Sequence, residues 1–192
     1  MAPGDWELVQ RSRTGDRDAF RVLVERYQRK VAALALGMLR NREDALDVVQ
    51  DTFAKAWQSL DKFKGDSSFY TWVYRIAVNL CIDQQRRDAK MPHALNGPAD
   101  GDDGPEEELP AAVLGEEPED PFRHAHDAEL ARGIQQAISE LTPEHRAVIL
   151  LREVDGLSYE EISQALDCPK GTVMSRLHYA RRQLQERLRR LR

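Results

Sequence analysis

The chain has 192 residues, of which 41% are hydrophobic and 32% are charged, and its formal net charge is −5 at pH 7. This length fits one ordinary domain or two small ones. No apolar run approaches the roughly 18 residues of a membrane-spanning helix, and the first residues lack the basic and apolar segments of a signal peptide. We therefore expect a cytoplasmic protein without direct membrane insertion.

The charge is distributed unevenly along the chain. Residues 88–120 contain eleven Asp or Glu and a single Lys, a net of −10, which leaves +5 for the remainder. Residues 169–192 contain eight Lys or Arg against one Glu, a net of +7. A strongly basic segment in an overall acidic chain is typical of nucleic-acid-binding proteins.

Two helices are predicted first. Apolar residues recur at three- and four-residue steps between Phe20 and Met38, which indicates one long amphipathic helix. Asn41 is a suitable N-cap for the next helix, because its side-chain oxygen can accept from the first-turn amides. The apolar stripe of this second helix is predicted to be Leu46, Val49, Phe53, Ala56 and Trp57.

A third helix is predicted after a turn at Gly65 and Asp66, with Ser67 as its cap. No long stretch alternates with period two, so we expect no sheet and a compact all-α unit. The apolar stripe of the third helix is predicted to be Phe69, Trp72, Val73, Ile76, Ala77 and Leu80.

A linker divides the chain. The stretch from Met91 to Pro121 contains six of the nine prolines, with glycines among acidic residues. Such a segment cannot bury enough apolar surface to offset its ordering entropy, so we expect a flexible, self-repelling linker. The predicted domains are residues 1–90 and 125–192, joined by the linker 91–124.

The second half is also predicted to be helical. After a helix around residues 127–140, Thr142 and a following proline form a start signal for a helix that runs to about Val154. Ser158 and Glu161 have the spacing of a capping box, which begins a short helix ending near Leu166. A tight turn at residues 167–169 then leads into a long helix. The apolar stripe of that last helix is predicted to be Val173, Leu177, Ala180, Leu184 and Leu188.

A short capped helix, a tight turn and a longer basic helix together indicate a helix-turn-helix. Its second helix would present polar and basic side chains to a major groove, and the arginines from Arg181 onward would add salt-sensitive phosphate attraction. On the pattern alone, an ordinary helical hairpin with a solvated basic face stays open as an alternative.

Three stretches resemble one protein family, the extracytoplasmic-function sigma factors of bacterial RNA polymerase, and within it the sigma-E-like branch. Residues 157–181, with LSYEEIS followed by CPKGTVMSRLHYAR, are similar to region four. Residues 44–57, DALDVVQDTFAKAW, resemble the part of region two that binds polymerase, and residues 63–79, FKGDSSFYTWVYRIAVN, resemble the segment that reads the −10 element. The resemblance implies an alternative sigma factor that binds core RNA polymerase and directs transcription initiation at stress-response promoters.

The resemblance also implies roles for individual residues. One set would contact the coiled coil of the largest polymerase subunit, and region four would lie at the flap region. Without the resemblance, Asp47 and Asp51 would instead be interpreted as solvated acidic residues of a helix. The polymerase-binding set is Asp47, Gln50, Asp51 and Lys55. The −10 set is Lys64, Gly65, Asp66, Ser67, Ser68, Phe69, Tyr70, Trp72, Tyr74, Arg75 and Asn79. The −35 set is Lys170, Gly171, Thr172, Met174, Ser175, Arg176, His178, Tyr179 and Arg182.

Within the −10 set, aromatic rings beside cations suit unstacked single-strand bases. The family's loop matching residues 64–68 helps to hold a base flipped from the non-template strand. Two features depart from the family: Met174 stands where many relatives carry arginine, and the linker is longer and more acidic. The resemblance further implies an anti-sigma factor, often membrane-anchored, and we expect the free chain to bind DNA weakly until polymerase separates its domains.

No other chemistry is indicated. His124 and His126 lack neighbouring cysteines, so they are expected to be incidental surface residues rather than zinc ligands, and Cys81 and Cys168 are expected to pack as small hydrophobes. We find no phosphate loop or catalytic motif and expect no enzyme activity, catalytic residue, metal, cofactor or small-molecule substrate. Two alternatives remain: a conventional helix-turn-helix regulator acting without a holoenzyme, and an adaptor that mimics region two.

Overall fold

The computed structural model describes residues 3–39, 41–90 and 131–189, and all regular structure within these ranges is helical. The prediction of an all-α protein is confirmed. The predicted linker 91–124 lies outside the described residues, as do His124, His126 and the start of the helix expected around residues 127–140.

Four α-helices and a 3₁₀ turn form the first domain. They are α1 (Asp5–Arg13), α2 (Arg17–Met38), α3 (Arg42–Gln58), the 3₁₀ turn Leu60–Lys62, and α4 (Phe69–Lys90). Helix α1 was not expected from the sequence pattern, which began at Phe20. The apolar face of α2 packs against α1, α3 and α4, so one continuous core includes all four helices.

The second domain contains the helical residues 131–139 (α5), α6 (Pro143–Ile149), a π-helical turn (Leu150–Val154), α7 (Tyr159–Leu166) and α8 (Lys170–Leu188). The predicted start signal is confirmed, because the Thr142 side chain accepts from the backbone amide of His145 with proline at the first helical position. Gly156, with φ +71°, ends the π-helical turn, as only glycine adopts this region without cost.

Two local predictions are corrected. In α3 the buried residues are Ala45, Val48, Thr52, Phe53 and Ala56, whereas Leu46 and Trp57 are exposed. Thr52 can be buried because its hydroxyl donates to the Val48 carbonyl at 2.6 Å, which leaves no unpaired polar atom. The N-cap of α4 is Ser68 rather than Ser67, since the Thr71 amide donates to the Ser68 hydroxyl at 3.0 Å.

The two domains pack against each other, with α7 on α4 and α6 on the C-terminal end of α2. The π-helical turn after α6 approaches α2 closely at Gly37, where a Cβ atom would lie 2.8 Å from the Cδ1 atom of Leu150. The buried guanidinium of Arg146 donates to the Met38 carbonyl across the interface and to the Ile138 and Leu141 carbonyls within its own domain, both at 3.1 Å. The apolar cores of the two domains are thus continuous.

Candidate nucleic-acid interface

The helix-turn-helix prediction is confirmed by its local geometry. In the capping box, Glu161 accepts from the Ser158 amide at 2.8 Å, and the Ser158 hydroxyl accepts from the Glu161 amide at 3.2 Å. The Ser158 hydroxyl also donates to the Glu161 carboxylate at 2.7 Å, and this hydrogen bond, together with that from the Ser158 amide, holds the pKa of Glu161 below its ordinary value. Asp167 ends α7 in the left-handed conformation, with φ +49°, and this reverses the chain into α8.

Helix α8 buries one stripe and leaves the opposite face open. Val173, Leu177 and Ala180 are buried, as expected. Met174 is 53% exposed, so it does not pack into the core. Most of the predicted −35 residues lie on exposed surface, and Thr172 and Arg176 are half-buried. The exposed members are Lys170, Gly171, Met174, Ser175, His178, Tyr179 and Arg182.

The predicted polymerase-binding residues form an exposed row along α3. Asp47, Asp51 and Lys55 lie at four-residue steps on the outer surface, and Gln50 is exposed beside them. At the start of the same helix, burial and then the nearby charge of Asp88 raise the pKa of Asp44.

The loop of residues 64–68 lies between the 3₁₀ turn and α4, with Gly65 at φ +83°. The Ser68 hydroxyl also lies 2.8 Å from that of Thr71. Beneath the loop, the buried ring of Phe63 lies 5.2 Å from the half-buried ring of Trp72 and 5.9 Å from that of Phe69.

The aromatic residues further along α4 lie at the domain interface. Tyr74 is fully buried, and its hydroxyl donates to an Asp155 carboxylate oxygen at 2.6 Å. The Tyr70 hydroxyl lies 2.5 Å from that of Tyr74 and 3.3 Å from the same carboxylate oxygen. Arg75 forms a 2.6 Å ion pair with Asp167. Three predicted −10 residues are therefore covered or paired by acids of the helix-turn-helix domain.

Burial dominates the electrostatics of this interface. It raises the pKa values of Tyr70, Tyr74 and Asp155 above their ordinary values. The two tyrosine hydrogen bonds and the charge of Lys30 oppose the shift at Asp155. The Lys30 ammonium also lies over the Tyr70 ring, 4.8 Å from its centroid.

Asn79 lies apart from the interface, in an open groove between the end of α3 and α4. Lys55 and Lys62 line the same groove, together with Asp83. The structure thus brings a predicted polymerase residue, Lys55, next to a predicted −10 residue.

Sequence reasoning missed three residues near these sites: Trp6, Lys30 and Asp155. Trp6 precedes the expected first helix, and its indole packs on Gly65. Only the size of its side chain could have drawn attention to it. Among the described residues, no group of three or more His, Cys, Asp or Glu side chains could hold a metal ion, and no helix is long and apolar enough to cross a membrane.

The architecture is that of a two-domain helical DNA-binding protein with a helix-turn-helix in its second domain. Residues 23–91 match the Sigma-70 region 2 family, and residues 131–184 match the Sigma-70, region 4 family. The chain is 40% identical over 184 residues to the ECF RNA polymerase sigma-E factor of Escherichia coli (strain K12), with 96% of this chain and 94% of the relative covered. It is 38% identical to the Haemophilus influenzae factor of the same name, with coverages of 96% and 95%.

Solved structures agree with this likeness. CnrH, in complex with the cytosolic domain of CnrY, is similar with a TM-score of 0.68 and 29% identity over 96% of each chain. The sigma factor RpoE of Bartonella quintana shares the fold, with a TM-score of 0.63 and 24% identity over 88% of this chain and 96% of that chain. The chain belongs to the extracytoplasmic-function sigma factors. It is an alternative sigma factor, which binds core RNA polymerase and promoter DNA to direct transcription initiation.

Proposed function

We propose that the chain performs this role through three residue sets on separate surfaces. The exposed row of α3 binds the largest polymerase subunit, the 64–68 loop with α4 reads the −10 element, and α8 reads the −35 element. The observation that carries the proposal is the presence of region 2 and region 4 in one chain, with an intact helix-turn-helix in the second.

Duplex opening would proceed by base capture. Extruding a base from a duplex costs a few kcal/mol, and each base–aromatic stacking contact contributes roughly 1–3 kcal/mol. Capture of a displaced base beside the 64–68 loop therefore offsets the cost of opening. This role requires no catalytic group from the chain, and we propose that it acts in the cytoplasm as a non-catalytic factor.

The free chain is proposed to be closed. Asp155 lies within hydrogen-bonding distance of Tyr70 and Tyr74, and Asp167 pairs with Arg75. Single-stranded DNA would need these three side chains. Negative carboxylates here take the place of negative nucleic acid. Binding to core polymerase would separate the domains and release these residues, so the isolated chain would bind DNA weakly.

An anti-sigma factor is the proposed inhibitory partner. The similar protein CnrH was solved with the cytosolic domain of another protein, so a chain of this fold can be held by a separate partner. The proposed domains remain residues 1–90 and 125–192, and the acidic linker 91–124 between them is proposed to enter polymerase channels as a nucleic-acid mimic.

Run-off transcription tests the proposal. The chain is added to bacterial core polymerase on a library of promoter fragments, with core polymerase alone as the control. New start sites that share upstream elements are expected, and a variant with Asp47→Ala and Asp51→Ala is expected to lose them together with core binding. Core binding without transcripts would favour the adaptor alternative. Tight binding to a palindromic duplex without polymerase would favour a conventional regulator.

A further inference from the structure

Trp6 is an exposed aromatic residue beside the 64–68 loop. It is the second residue of α1, and 52% of its surface is accessible although it is the largest apolar side chain available to a protein. Its neighbours Leu8 and Val9 are fully buried, so the helix itself is firmly packed. The exposure of Trp6 is therefore a property of that side chain and not of a loosely attached helix.

The indole is fixed against the loop on one side. A Cβ atom on Gly65 would lie 2.8 Å from its Cζ3 atom, so the ring rests directly on the glycine backbone. The guanidinium of Arg13 lies 5.8 Å from the ring centroid and also donates to the carbonyls of Leu60 and Phe63. The ring is thereby held by the segment that leads into the loop.

Phe63 connects this indole with the predicted −10 site. Its buried ring lies 6.3 Å from Trp6 and 5.2 Å from Trp72, between centroids. Two partly exposed indoles therefore share one aromatic neighbour at the base of the loop. Of the two acids that flank Trp6 in α1, Asp5 is paired with Arg26 and accepts from Tyr27, so its charge is compensated.

We propose that Trp6 is an additional base-stacking residue of the −10 site, and this rests on the function proposed above. A ring already held in place loses little entropy on stacking, and stacking accepts any base because every base has a π-face. The occupant is a base of the single-stranded −10 element next to the 64–68 loop. Trp6 is a positioning residue for the opened strand.

The test uses holoenzyme assembled from the full chain and core polymerase. The probe is fork-junction promoter DNA with a single-stranded non-template −10 element, in which each −10 base is replaced in turn by an abasic site. Trp6→Ala is expected to weaken binding of intact DNA about 5- to 150-fold, the equivalent of one stacking contact. When the abasic site replaces the base that stacks on Trp6, the variant and wild-type holoenzymes should bind the probe equally. Trp6→Phe should retain most of the affinity.

Controls separate stacking from support of the loop. Ile134→Ala truncates another exposed apolar side chain, in α5, and should leave the affinity unchanged. If Trp6→Ala weakens intact and all abasic probes by the same factor, Trp6 only supports the loop and the proposal is overturned. An unchanged affinity for intact DNA also overturns it. If wild-type holoenzyme neither binds nor transcribes, the proposed function itself fails and the Trp6 proposal fails with it.

Discussion

The hydroxyl of Tyr74 lies 2.6 Å from a carboxylate oxygen of Asp155, although the two residues are 81 positions apart and belong to different domains. Tyr74 is fully buried, and the hydroxyl of Tyr70 lies close to the same carboxylate oxygen. Tyr74, which is expected to contact the −10 element, thus donates its hydrogen bond to Asp155 in the domain that is expected to read the −35 element. The domain interface and the −10 surface cannot both use Tyr74 at once.

Removing the carboxylate should open the chain. Asp155→Ala deletes a charged acceptor whose hydrogen bonds typically contribute about 1.5–3 kcal/mol, so the open fraction should rise roughly 10- to 150-fold. We expect tighter binding of a single-stranded −10 oligonucleotide by the free chain, measured by fluorescence anisotropy, and unchanged affinity in holoenzyme.

Glu153→Ala is the matched control for this change. Glu153 lies two residues earlier and pairs with Arg181 of its own domain at 2.7 Å, so it does not bridge the domains. Equal oligonucleotide affinity for Asp155→Ala and wild type would show that the contact does not limit access to the −10 surface.

Closure should depend on pH through Asp155. Because burial raises the pKa of this carboxyl above 3.8 in the closed state, the closed state binds more protons than the open one between the two values. The extra stability of the closed state is fully present below the open-state pKa of Asp155, and it is lost as the pH rises through the raised closed-state pKa. Energy transfer between dyes on the two domains should therefore fall over that interval. Asp155→Asn, which stays neutral and keeps an acceptor, should remove the dependence; an equal dependence in this variant would assign it to other groups.

The helices were predictable because their signals are local. Caps such as Asn41, Thr142 and Ser158 satisfy amides within three residues of themselves, so the sequence alone specifies where these helices start. The α3 stripe was misplaced because a search for hydrophobic residues overlooks Thr52, whose hydroxyl is satisfied inside the helix. The choice between Ser67 and Ser68 as cap depended on a turn geometry that adjacent serines do not distinguish.

The site was less predictable than the fold. Periodicity assigned α8 its exposed face correctly, since burial within one domain follows from the helix repeat. It gave no information about Asp155 or Asp167, because the orientation of one domain on another is determined by side chains distant in sequence. Tyr74 was accordingly expected on an open face, whereas it is buried and its hydroxyl donates to Asp155 of the second domain.

The capping box should control the stability of the helix-turn-helix. Ser158→Ala removes an N-cap acceptor and should lower the free energy of unfolding by about 1 kcal/mol, measured by thermal denaturation. The Glu161 contribution should show a separate pH signature. Because hydrogen bonds depress the pKa of Glu161 below 4.5, the stabilisation that this carboxylate provides is present above pH 4.5. It is lost as the pH falls through the depressed pKa. In Glu161→Gln this acid-side loss should be absent, and its persistence would contradict the assignment.

Gly65 and Trp6 should be energetically coupled. At φ +83° any side chain is strained, by about 1–2 kcal/mol in the left-handed region, and a Cβ at Gly65 would also lie 2.8 Å from the indole. Gly65→Ala should destabilise the chain in denaturant unfolding, and adding Trp6→Ala should recover the steric part alone. Strict additivity of the two changes would indicate that the ring and the loop are not in contact.

The −35 preference should depend on Met174. Its side chain is 53% exposed on the outer face of α8, so a substitution there leaves the buried core of the domain unchanged. Met174→Arg introduces the donor pair that binds guanine O6 and N7, a contact worth about 1–3 kcal/mol of discrimination. In holoenzyme binding to a −35 library, the preference of the variant for guanine at one position should increase roughly 5- to 150-fold, with the −10 preference unchanged. Met174→Gln, of similar length but neutral, is the control and should not gain this guanine. If the arginine variant strengthens binding equally to every −35 sequence, the side chain faces phosphates instead of base edges, and position 174 does not determine the promoter preference.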